Sequence, residues 1–180
     1  ERISTIVTQF LTFAKPPQPS FGESDLPHLL REVVTLAEQD SRAEGKNLLL
    51  YADADLPPLT MDADQIKQVI MNMLVNAQHA IGKDGTIKVT TRLRYDCPSL
   101  DGEGKTEPMV NITIEDDGCG IEEEHLTRIF DPFFTTKGVG KGTGLGLSVS
   151  HGTIEAHRGT IEVKSEVGEG TEFRICLPTK

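Results

Sequence analysis

The chain has 180 residues, 37% of them hydrophobic and 26% charged, a balance that predicts one globular domain with a sizeable core. Its formal net charge of −10 argues against nucleic acid as the main partner, because binding to a phosphate backbone requires a basic face. Cys97, Cys119 and Cys176 are widely spaced and odd in number, so they specify neither a disulfide framework nor a zinc site and favour a reducing, cytoplasmic compartment. No apolar run approaches the length of a bilayer span.

The N-terminal residues predict the end of one helix and then a linker. Residues 1–14 carry an apolar stripe at helical spacing, and the proline-rich stretch 15–19 stops that helix. A helix this short and apolar needs another surface to pack against, and we therefore expect residues 1–14 to be the tail of a longer helix from a bundle. The alternative is a helix that packs on its own domain. Residues 15–24 are predicted to be a linker that could contain the first strand. Because Glu1 is neither an initiator Met nor part of a signal sequence, we expect the chain to be an excised fragment.

Two long helices follow, each opened by an aspartate. Asp25 is the predicted N-cap of a helix that runs to about Glu44 and stops at Gly45, and Asp62 is the predicted N-cap of a helix that Gly82 ends. The residues expected inside recur at helical spacing: Leu26, Leu29, Leu30, Val33, Val34 and Ala37 in the first helix, and Ile66, Val69, Ile70, Met73, Leu74, Ala77 and Ile81 in the second.

Five stretches have the composition or alternation of β-strands, namely residues 47–52, 86–95, 110–114, 160–164 and 171–177. Residues 96–108, with glycine, proline, serine and charge, are predicted to be a loop between two of them. Helices interspersed with hairpin-connected strands indicate an α+β fold. We expect a two-layer sandwich in which one mixed, mainly antiparallel sheet is covered on one face by helices.

Two asparagines interrupt the pattern of the second long helix. Asn72 and Asn76 lie four residues apart on one helical face, beside an apolar stripe. An asparagine carbonyl oxygen suits Mg²⁺, which shares oxygen ligands with nucleotide phosphates. The alternative is structural, with both amides hydrogen-bonded to neighbouring loops.

Asp116 ends a predicted strand and opens the sequence Asp-Asp-Gly-Cys-Gly. The glycines can turn the chain sharply, and the Asp116 carboxylate can accept a hydrogen bond in a cleft, for example from the exocyclic amine of a purine. A simple Asp/Gly turn is the alternative. We assign no chemistry to Cys119.

An aromatic cluster lies before the last predicted helix. Phe130, Phe133 and Phe134 are three of the seven phenylalanines in a chain with 5% aromatic residues. They can anchor a mobile segment to the core, and an unremarkable core cluster is the alternative.

Residues 137–147, KGVGKGTGLGL, hold five glycines in eleven residues. Their backbone N–H groups can surround an anion at a helix N-terminus, where Lys137 and Lys141 add positive charge. Leu145, Val149 and Ile154 have helical spacing, so the loop is expected to run into a helix. The spacing is not that of a P-loop, and a flexible surface connection is the alternative.

The order and spacing of these motifs resemble those of the GHKL ATPase superfamily. Residues 72–77 resemble its N box, 116–120 its first glycine box, 130–134 its F box and 142–147 its second glycine box. Residues 168–173 resemble a further glycine-containing box, so the resemblance covers residues 25–180. The Phe-Phe-Thr-Thr-Lys sequence is similar to that of sensor histidine kinases of the nitrogen-regulation type. Residues 1–14 resemble the end of the second helix of their dimerisation and phosphoacceptor domain.

The resemblance implies a Bergerat-type fold that binds ATP and Mg²⁺. Asp116 would contact the adenine amino group, Asn76 would hold Mg²⁺ against the phosphates with Asn72 close by as the second catalytic residue, and Thr171 would lie near the adenine. The other nucleotide contacts it implies, several through backbone N–H groups, are His79, Gly118, Gly120, Ile121, Thr136, Lys137, Gly142, Thr143, Gly144, Leu145, Gly146 and Leu147. Many relatives carry lysine where this chain has Gln78, which weakens the expectation of a phosphate contact from that turn; for His79, a helix-face histidine is the alternative.

Position 72 separates the reaction classes of the superfamily. Hydrolysing relatives carry a glutamate there that can activate water, whereas the amide of Asn72 cannot usefully accept a proton. The γ-phosphoryl group would then be kept for another nucleophile, which in the resembled kinases is a histidine usually followed by an acidic residue. No histidine of this chain is followed by an acidic residue, so we expect the histidine that accepts the phosphoryl group to lie upstream. The five histidines of the chain are His28, His79, His125, His151 and His157.

The sequence therefore predicts the ATP-binding kinase domain of a two-component sensor histidine kinase. Its expected partners are its own dimerisation and phosphoacceptor domain and a response regulator, and the full-length protein is expected to be a homodimer. We expect this portion in the cytoplasm, whether the parent is membrane-anchored or soluble. The alternative is a GHKL module that hydrolyses or senses ATP without phosphorylating histidine.

Overall fold

The computed structural model describes residues 18–95, 108–138 and 142–179. The helix predicted over residues 1–14 and most of the loop predicted over 96–108 lie outside these ranges. In chain order the elements are β1 (Gly22–Ser24), α1 (Leu26–Ala43), β2 (Asn47–Tyr51), β3 (Leu59–Met61), α2 (Ala63–Ala80), β4 (Thr86–Arg94), β5 (Met109–Asp116), α3 (Glu123–Leu126), α4 (Gly146–Ala156), β6 (Thr160–Glu166) and β7 (Gly170–Pro178).

The main sheet has five strands in the order β2-β4-β5-β7-β6. β2 pairs with β4 in parallel, and the other neighbours are antiparallel. The predicted mixed, mainly antiparallel sheet is therefore confirmed. β1 and β3 form a separate two-stranded antiparallel sheet.

Both predicted aspartate caps are present. The Asp25 carboxylate accepts a hydrogen bond from the His28 N–H at 2.8 Å, and the Asp62 carboxylate accepts from the Asp64 and Gln65 N–H groups at 3.1 and 3.0 Å. These bonds satisfy backbone donors that the first helical turn leaves free, so the sequence determines where each helix begins.

The helix ends differ in one respect from the prediction. Gly45 has a φ of 72° just beyond α1, as a glycine stop requires. α2 ends at Ala80 with the extended Ile81 as its C-cap residue, φ −83° and ψ 148°, so Gly82 follows the helix end directly and only the helical conformation expected for Ile81 is wrong. Ile81 is still buried, since the extended chain turns its side chain into the core.

The core lies between the helices and one face of the sheet. α1 packs against β2 and α2, and α2 also packs against α4, β5 and β7. The face of β5 that points into the core carries Val110, Ile112 and Ile114. Glu115, on the opposite face of the strand, is exposed. Each large aliphatic side chain buried in this way contributes roughly 1.5–3 kcal/mol. The predicted covering of one sheet face by helices is confirmed.

Two short elements were not predicted. β3 follows Pro57 and Pro58 and has three residues, and α3 has four. Neither is long enough to show a period in the sequence. Within the described ranges, no helix combines the length and apolarity needed to cross a membrane.

Candidate functional site

The side-chain amide of Asn72 joins α2 to the start of α4. Its Nδ2 donates to the Gly146 carbonyl oxygen and to Ser150 Oγ, both at 3.2 Å, and its Oδ1 accepts from Gln68 Nε2 at 3.0 Å. The fully buried Ser150 hydroxyl itself donates to the Gly146 carbonyl at 2.8 Å. Asn72 therefore donates two hydrogen bonds through its NH₂ group and accepts one through its oxygen, a combination that a carboxylate cannot supply.

One helical turn further along α2, Asn76 and His79 both contact Lys137. Lys137 Nζ donates to Asn76 Oδ1 at 3.2 Å and lies 3.1 Å from His79 Nδ1. Burial lowers the pKa of the Lys137 ammonium. Burial also lowers the pKa of His79, and the positive charges of Lys137 and Lys46 act in the same direction. The carbonyl oxygen of Asn76 thus already faces a cation.

Asp116 lies at the end of β5, opposite Thr171 of β7 in the strand register. It is 6% exposed, and its Oδ1 accepts a hydrogen bond from the Gly118 N–H at 3.0 Å. Burial raises the pKa of the Asp116 carboxyl, while the backbone N–H groups of Gly118 and Thr171 oppose that shift. A carboxylate that is buried and only partly satisfied can accept a further donor from a ligand.

The turn after Asp116 packs against the C-terminus of α2. A Cβ on Gly118 would lie 2.7 Å from the Ala80 carbonyl carbon and oxygen, so only glycine fits between them. The next residue, Cys119, donates its N–H to the Ala80 carbonyl at 3.1 Å. Because Ala80 is one turn beyond Asn76, about 6 Å along the helix, the first glycine box and the asparagine face lie at the same end of α2.

The further glycine-containing box lies beside the first one. Gly120 has a φ of 70°, and a Cβ there would lie 2.1 Å from the Glu166 carbonyl oxygen. The Ile121 N–H donates to Ser165 Oγ at 2.8 Å, and Ser165 Oγ is 2.9 Å from Thr171 Oγ1. The cluster at the edge of the sheet where β5 and β6 end and β7 begins therefore contains Asp116, Gly118, Gly120, Ile121 and Thr171.

The second glycine box is shaped by close contact with the aromatic segment. Gly144 has a φ of 66°, and a Cβ there would lie 2.4 Å from the Phe133 carbonyl carbon. The Phe133 N–H donates to the Gly144 carbonyl at 2.9 Å. α4 then begins at Gly146 with Leu145 as its N-cap residue, which makes no capping bond through its side chain. The turns that lead into the helix are therefore determined by backbone contacts.

The phenylalanines of the F box have separate positions. The Phe130 ring lies 5.0 Å from the His151 ring, and the Phe134 ring lies 5.5 Å from the His125 ring with the Arg128 guanidinium 4.6 Å from its centroid. Phe133 is 56% exposed and has a φ of 67°. Phe130 and Phe134 anchor this segment, and a core position for Phe133 is wrong.

The other predicted site residues are less constrained by the fold. Thr136 and Gly142 are exposed, Leu147 is half-buried and packs against the core, and the Thr143 hydroxyl accepts a bond from the Leu145 N–H at 3.4 Å. Gln78 turns away from Lys137, since its amide donates to the Ala37 carbonyl and Ser41 Oγ.

Three residues of the site were missed by sequence reasoning: Gln68, Ser150 and Ser165. Gln68 and Ser150 occur at i,i+4 spacing from Asn72 and Gly146, which was the available signal. Ser165 gave none, because its partners come from other elements. Two cavities are described, one of about 370 Å³ near Ser20 and Asp62 at the opposite end of α2 and one of about 520 Å³ along α1 near Glu32 and Leu36. Neither is lined by a predicted site residue.

Comparison with known proteins identifies the family. Residues 61–180 match the family of histidine kinase-, DNA gyrase B- and HSP90-like ATPases. Sporulation kinase E of Bacillus subtilis is 37% identical over 180 residues, which is 100% of this chain and 23% of that protein. Sensor histidine kinase ZraS of Escherichia coli K12 is 37% identical over 178 residues, 99% of this chain and 35% of that protein. The chain thus spans well under half the length of either relative.

Two solved structures share the fold. Full-length ShkA in complex with AMPPNP has a TM-score of 0.80 and 26% identity, covering 98% of this chain and 35% of that chain. Histidine kinase ThkA in complex with the response regulator protein TrrA has a TM-score of 0.77 and 30% identity, covering 99% and 48%. The predicted α+β fold and the GHKL resemblance are confirmed, while the nitrogen-regulation subclass stays a prediction. The chain belongs to the family of histidine kinase-, DNA gyrase B- and HSP90-like ATPases, and it is a catalytic domain of the sensor histidine kinase type.

Proposed function

We propose that this chain binds Mg-ATP and transfers the γ-phosphoryl group to a histidine outside the chain, for relay to an aspartate of a response regulator. The observation that carries the proposal is the environment of Asn72. Its amide is held by the Gly146 carbonyl and by Ser150, at the position where hydrolysing members of the superfamily place a glutamate. An amide has no useful basicity, so it leaves the γ-phosphoryl group for a stronger nucleophile than water.

The adenine end of the proposed site is the cluster around Asp116. The buried carboxylate would accept a hydrogen bond from the adenine amino group, with Thr171, Gly118, Gly120 and Ile121 around it. Burial makes such a bond strong, because no water competes for the acceptor. Gly118 and Gly120 let the backbone approach closely where a Cβ would clash.

The phosphate end of the proposed site is the start of α4 and the glycine-rich loop before it. Backbone N–H groups from Gly142 to Leu147 would bind the phosphates at the positive end of the helix dipole. Thr136 and Lys137 would approach from the F-box side, with His79 beside them. The absence of a side-chain cap at Leu145 supports this role, because it leaves the first N–H groups of α4 for a ligand.

Asn76 is the proposed magnesium ligand. Its carbonyl oxygen faces the Lys137 ammonium at 3.2 Å, so the donor set already accommodates positive charge. A bound Mg²⁺ would supply charge neutralisation on the phosphates. The chain's own residues then orient the nucleotide: Asp116 holds the base, the α4 N-terminus holds the phosphates, and Asn72 fixes that N-terminus against α2.

The proposed transfer is an in-line displacement at the γ-phosphorus. A nitrogen of the acceptor imidazole forms the new P–N bond as the bond to the β,γ-bridging oxygen breaks, ADP leaves with that electron pair, and the imidazole gives up its N–H proton to solvent. None of the chain's own histidines is the proposed acceptor, because none is followed by an acidic residue. The alternative, ATP hydrolysis or sensing alone, is not favoured by an amide at position 72.

The proposed partners follow from the relatives. ThkA has been solved with a response regulator protein, which supports a response regulator as the final acceptor here. We propose that the parent protein is a homodimer, that residues 1–14 belong to its dimerisation domain and residues 15–24 to the linker, and that this portion works in the cytoplasm. Nucleic acid is not a proposed partner, because a net charge of −10 repels a phosphate backbone.

The test is calorimetric titration with AMPPNP, with and without Mg²⁺, followed by an ATPase assay on the same sample. Binding that Mg²⁺ strengthens, without steady turnover, is expected. Labelled phosphate from [γ-³²P]ATP should then appear on a histidine-containing dimerisation domain added in trans. The Asn76→Ala variant should lose the Mg²⁺-dependent increase in AMPPNP affinity and the labelling of the dimerisation domain. The control is Asn47→Ala, which replaces an exposed asparagine on β2 and should keep both properties. Brisk hydrolysis by the chain alone would contradict the proposal.

A further inference from the structure

The ammonium group of Lys137 bridges two acceptors on α2. It lies 3.2 Å from Asn76 Oδ1 and 3.1 Å from His79 Nδ1. These acceptors are three residues apart on one helical face, so they converge on the same point in space. A lysine ammonium has three donors and no acceptor, so both contacts are donations from Lys137.

Asn76 Oδ1 is also the atom to which the proposed function assigns Mg²⁺, and this inference rests on that assignment. An ammonium and a divalent cation repel each other strongly at the distances that a shared oxygen imposes. We propose that Lys137 is an internal competitor of Mg²⁺ at Asn76, so that the ammonium group and the metal occupy this oxygen in turn.

The position of Lys137 in the chain gives this competition a consequence. It lies three residues after Phe134 and is the first residue of the glycine-rich stretch 137–147 that leads to α4. With Mg²⁺ at Asn76, the ammonium would be displaced from this oxygen and the segment would lose its contact with α2. Without Mg²⁺, the ammonium stays beside the phosphates and replaces part of the metal's charge. The Lys137 ammonium therefore replaces part of the positive charge of Mg²⁺ when the metal is absent.

Competition makes a prediction that differs from that of a simple phosphate-binding lysine. The magnesium effect is defined as the ratio of the AMPPNP dissociation constant without Mg²⁺ to that with Mg²⁺. Lys137→Met should raise the dissociation constant without Mg²⁺, because the ammonium that replaces part of the metal's charge is lost. It should lower the dissociation constant with Mg²⁺, because nothing competes for Asn76. The ratio should therefore rise. A lysine that only binds phosphate would change both dissociation constants equally and leave the ratio unchanged.

The experiment is calorimetric titration of the 180-residue chain and its variants with AMPPNP, in excess Mg²⁺ and in excess EDTA. The ratio should rise about tenfold in Lys137→Met, the equivalent of one charge-assisted hydrogen bond. Lys88→Met removes the same charge from the outer face of the sheet, where Lys88 pairs with Glu115, and should keep the wild-type ratio.

A second readout follows the contact itself. Donation from Lys137 to His79 Nδ1 requires the Nε2–H tautomer of His79, so the proposal predicts this tautomer in the ¹⁵N spectra of wild type. The signal should change when Mg²⁺ and AMPPNP are added together. An unchanged or smaller magnesium effect in Lys137→Met, or a His79 signal unaffected by Mg-AMPPNP, would overturn the competition alone. Wild-type protein that binds no AMPPNP at all would overturn the proposed function as well.

Discussion

The amide of Asn72 donates to the carbonyl oxygen of Gly146 across 3.2 Å, although the two residues are 74 positions apart in the chain. This bond joins the asparagine face of α2 to the first residue of α4. It also imposes a chemical requirement on position 72, because a backbone carbonyl accepts hydrogen bonds and cannot donate one. A glutamate at this position would direct a carboxylate at that carbonyl. The residue that is proposed to exclude water activation is thus also the residue that joins α2 to α4.

Replacing Asn72 by Asp tests this requirement. The variant keeps the shape of the side chain but faces the Gly146 carbonyl with a carboxylate, and the Ser150 hydroxyl already donates to that carbonyl. We expect a loss of about 1–3 kcal/mol in the free energy of unfolding, measured by urea denaturation. The matched control is Asn47→Asp, an exposed asparagine that donates to the Asp84 carbonyl at 3.4 Å and should cost less than about 0.5 kcal/mol. Equal losses in the two variants would contradict the argument.

Replacing Asp116 by Asn should relax base recognition. The carboxylate is proposed to accept from the adenine amino group, and guanine has a carbonyl at the corresponding ring position. A charge-assisted bond contributes about 1.5–3 kcal/mol, so affinity for ATP should fall about 10- to 100-fold while the weak affinity for GTP changes little. Glu115→Gln, which removes a charge from the exposed side of the same strand, should leave both affinities unchanged. Parallel losses for ATP and GTP would show that Asp116 has a purely structural role.

The same aspartate should make stability depend on pH. Because burial raises the pKa of Asp116 in the folded chain, its contribution to stability is complete below the ordinary carboxyl pKa and is lost as the pH rises through the raised value. Wild type should therefore lose stability relative to Asp116→Asn as the pH rises above the ordinary carboxyl pKa of about 4. Urea denaturation of both proteins as a function of pH measures the difference. A difference that is constant, or that changes in the opposite direction, would exclude burial as the dominant influence on Asp116.

The elements that the sequence predicted are those determined by local chemistry. Asp25 and Asp62 cap their helices within three residues, and the apolar faces of α1 and α2 repeat at helical spacing. The parallel pairing of β2 with β4 depends on contacts between residues such as Leu48 and Ile87, which no local pattern records. β3 pairs with β1 and packs Leu59 and Met61 in the core, and its three residues carry no period.

The candidate site divides in the same way. Asn72, Asp116 and Gly144 were predicted from their immediate neighbours, because an amide in an apolar stripe or a glycine run is visible in sequence. The contact of Lys137 with Asn76 spans 61 residues and brings a loop onto a helix, so it follows only from the tertiary fold. The same reason explains why Ser165 was missed as the link between Ile121 and Thr171.

Gly144 and Gly146 look equivalent in the sequence, and the structure separates them. Gly144 has a φ of 66°, and a Cβ there would lie 2.4 Å from the backbone of Phe133. At Gly146 the nearest contact of a Cβ would be Asn72 Cγ at 3.8 Å, an ordinary van der Waals distance. The two glycines therefore differ in how much they tolerate a side chain.

We expect Gly144→Ala to cost about 1–3 kcal/mol of folding free energy or to displace the glycine loop, because it combines a left-handed backbone with a backbone clash. Gly146→Ala lies in the first turn of α4 and should be neutral, or stabilise the helix by up to about 1 kcal/mol. Thermal unfolding measures both, and AMPPNP titration should show a large loss of affinity only for Gly144→Ala. If the two alanine variants behaved alike, close packing of the glycine loop on Phe133 could not be what shapes the proposed phosphate end of the site.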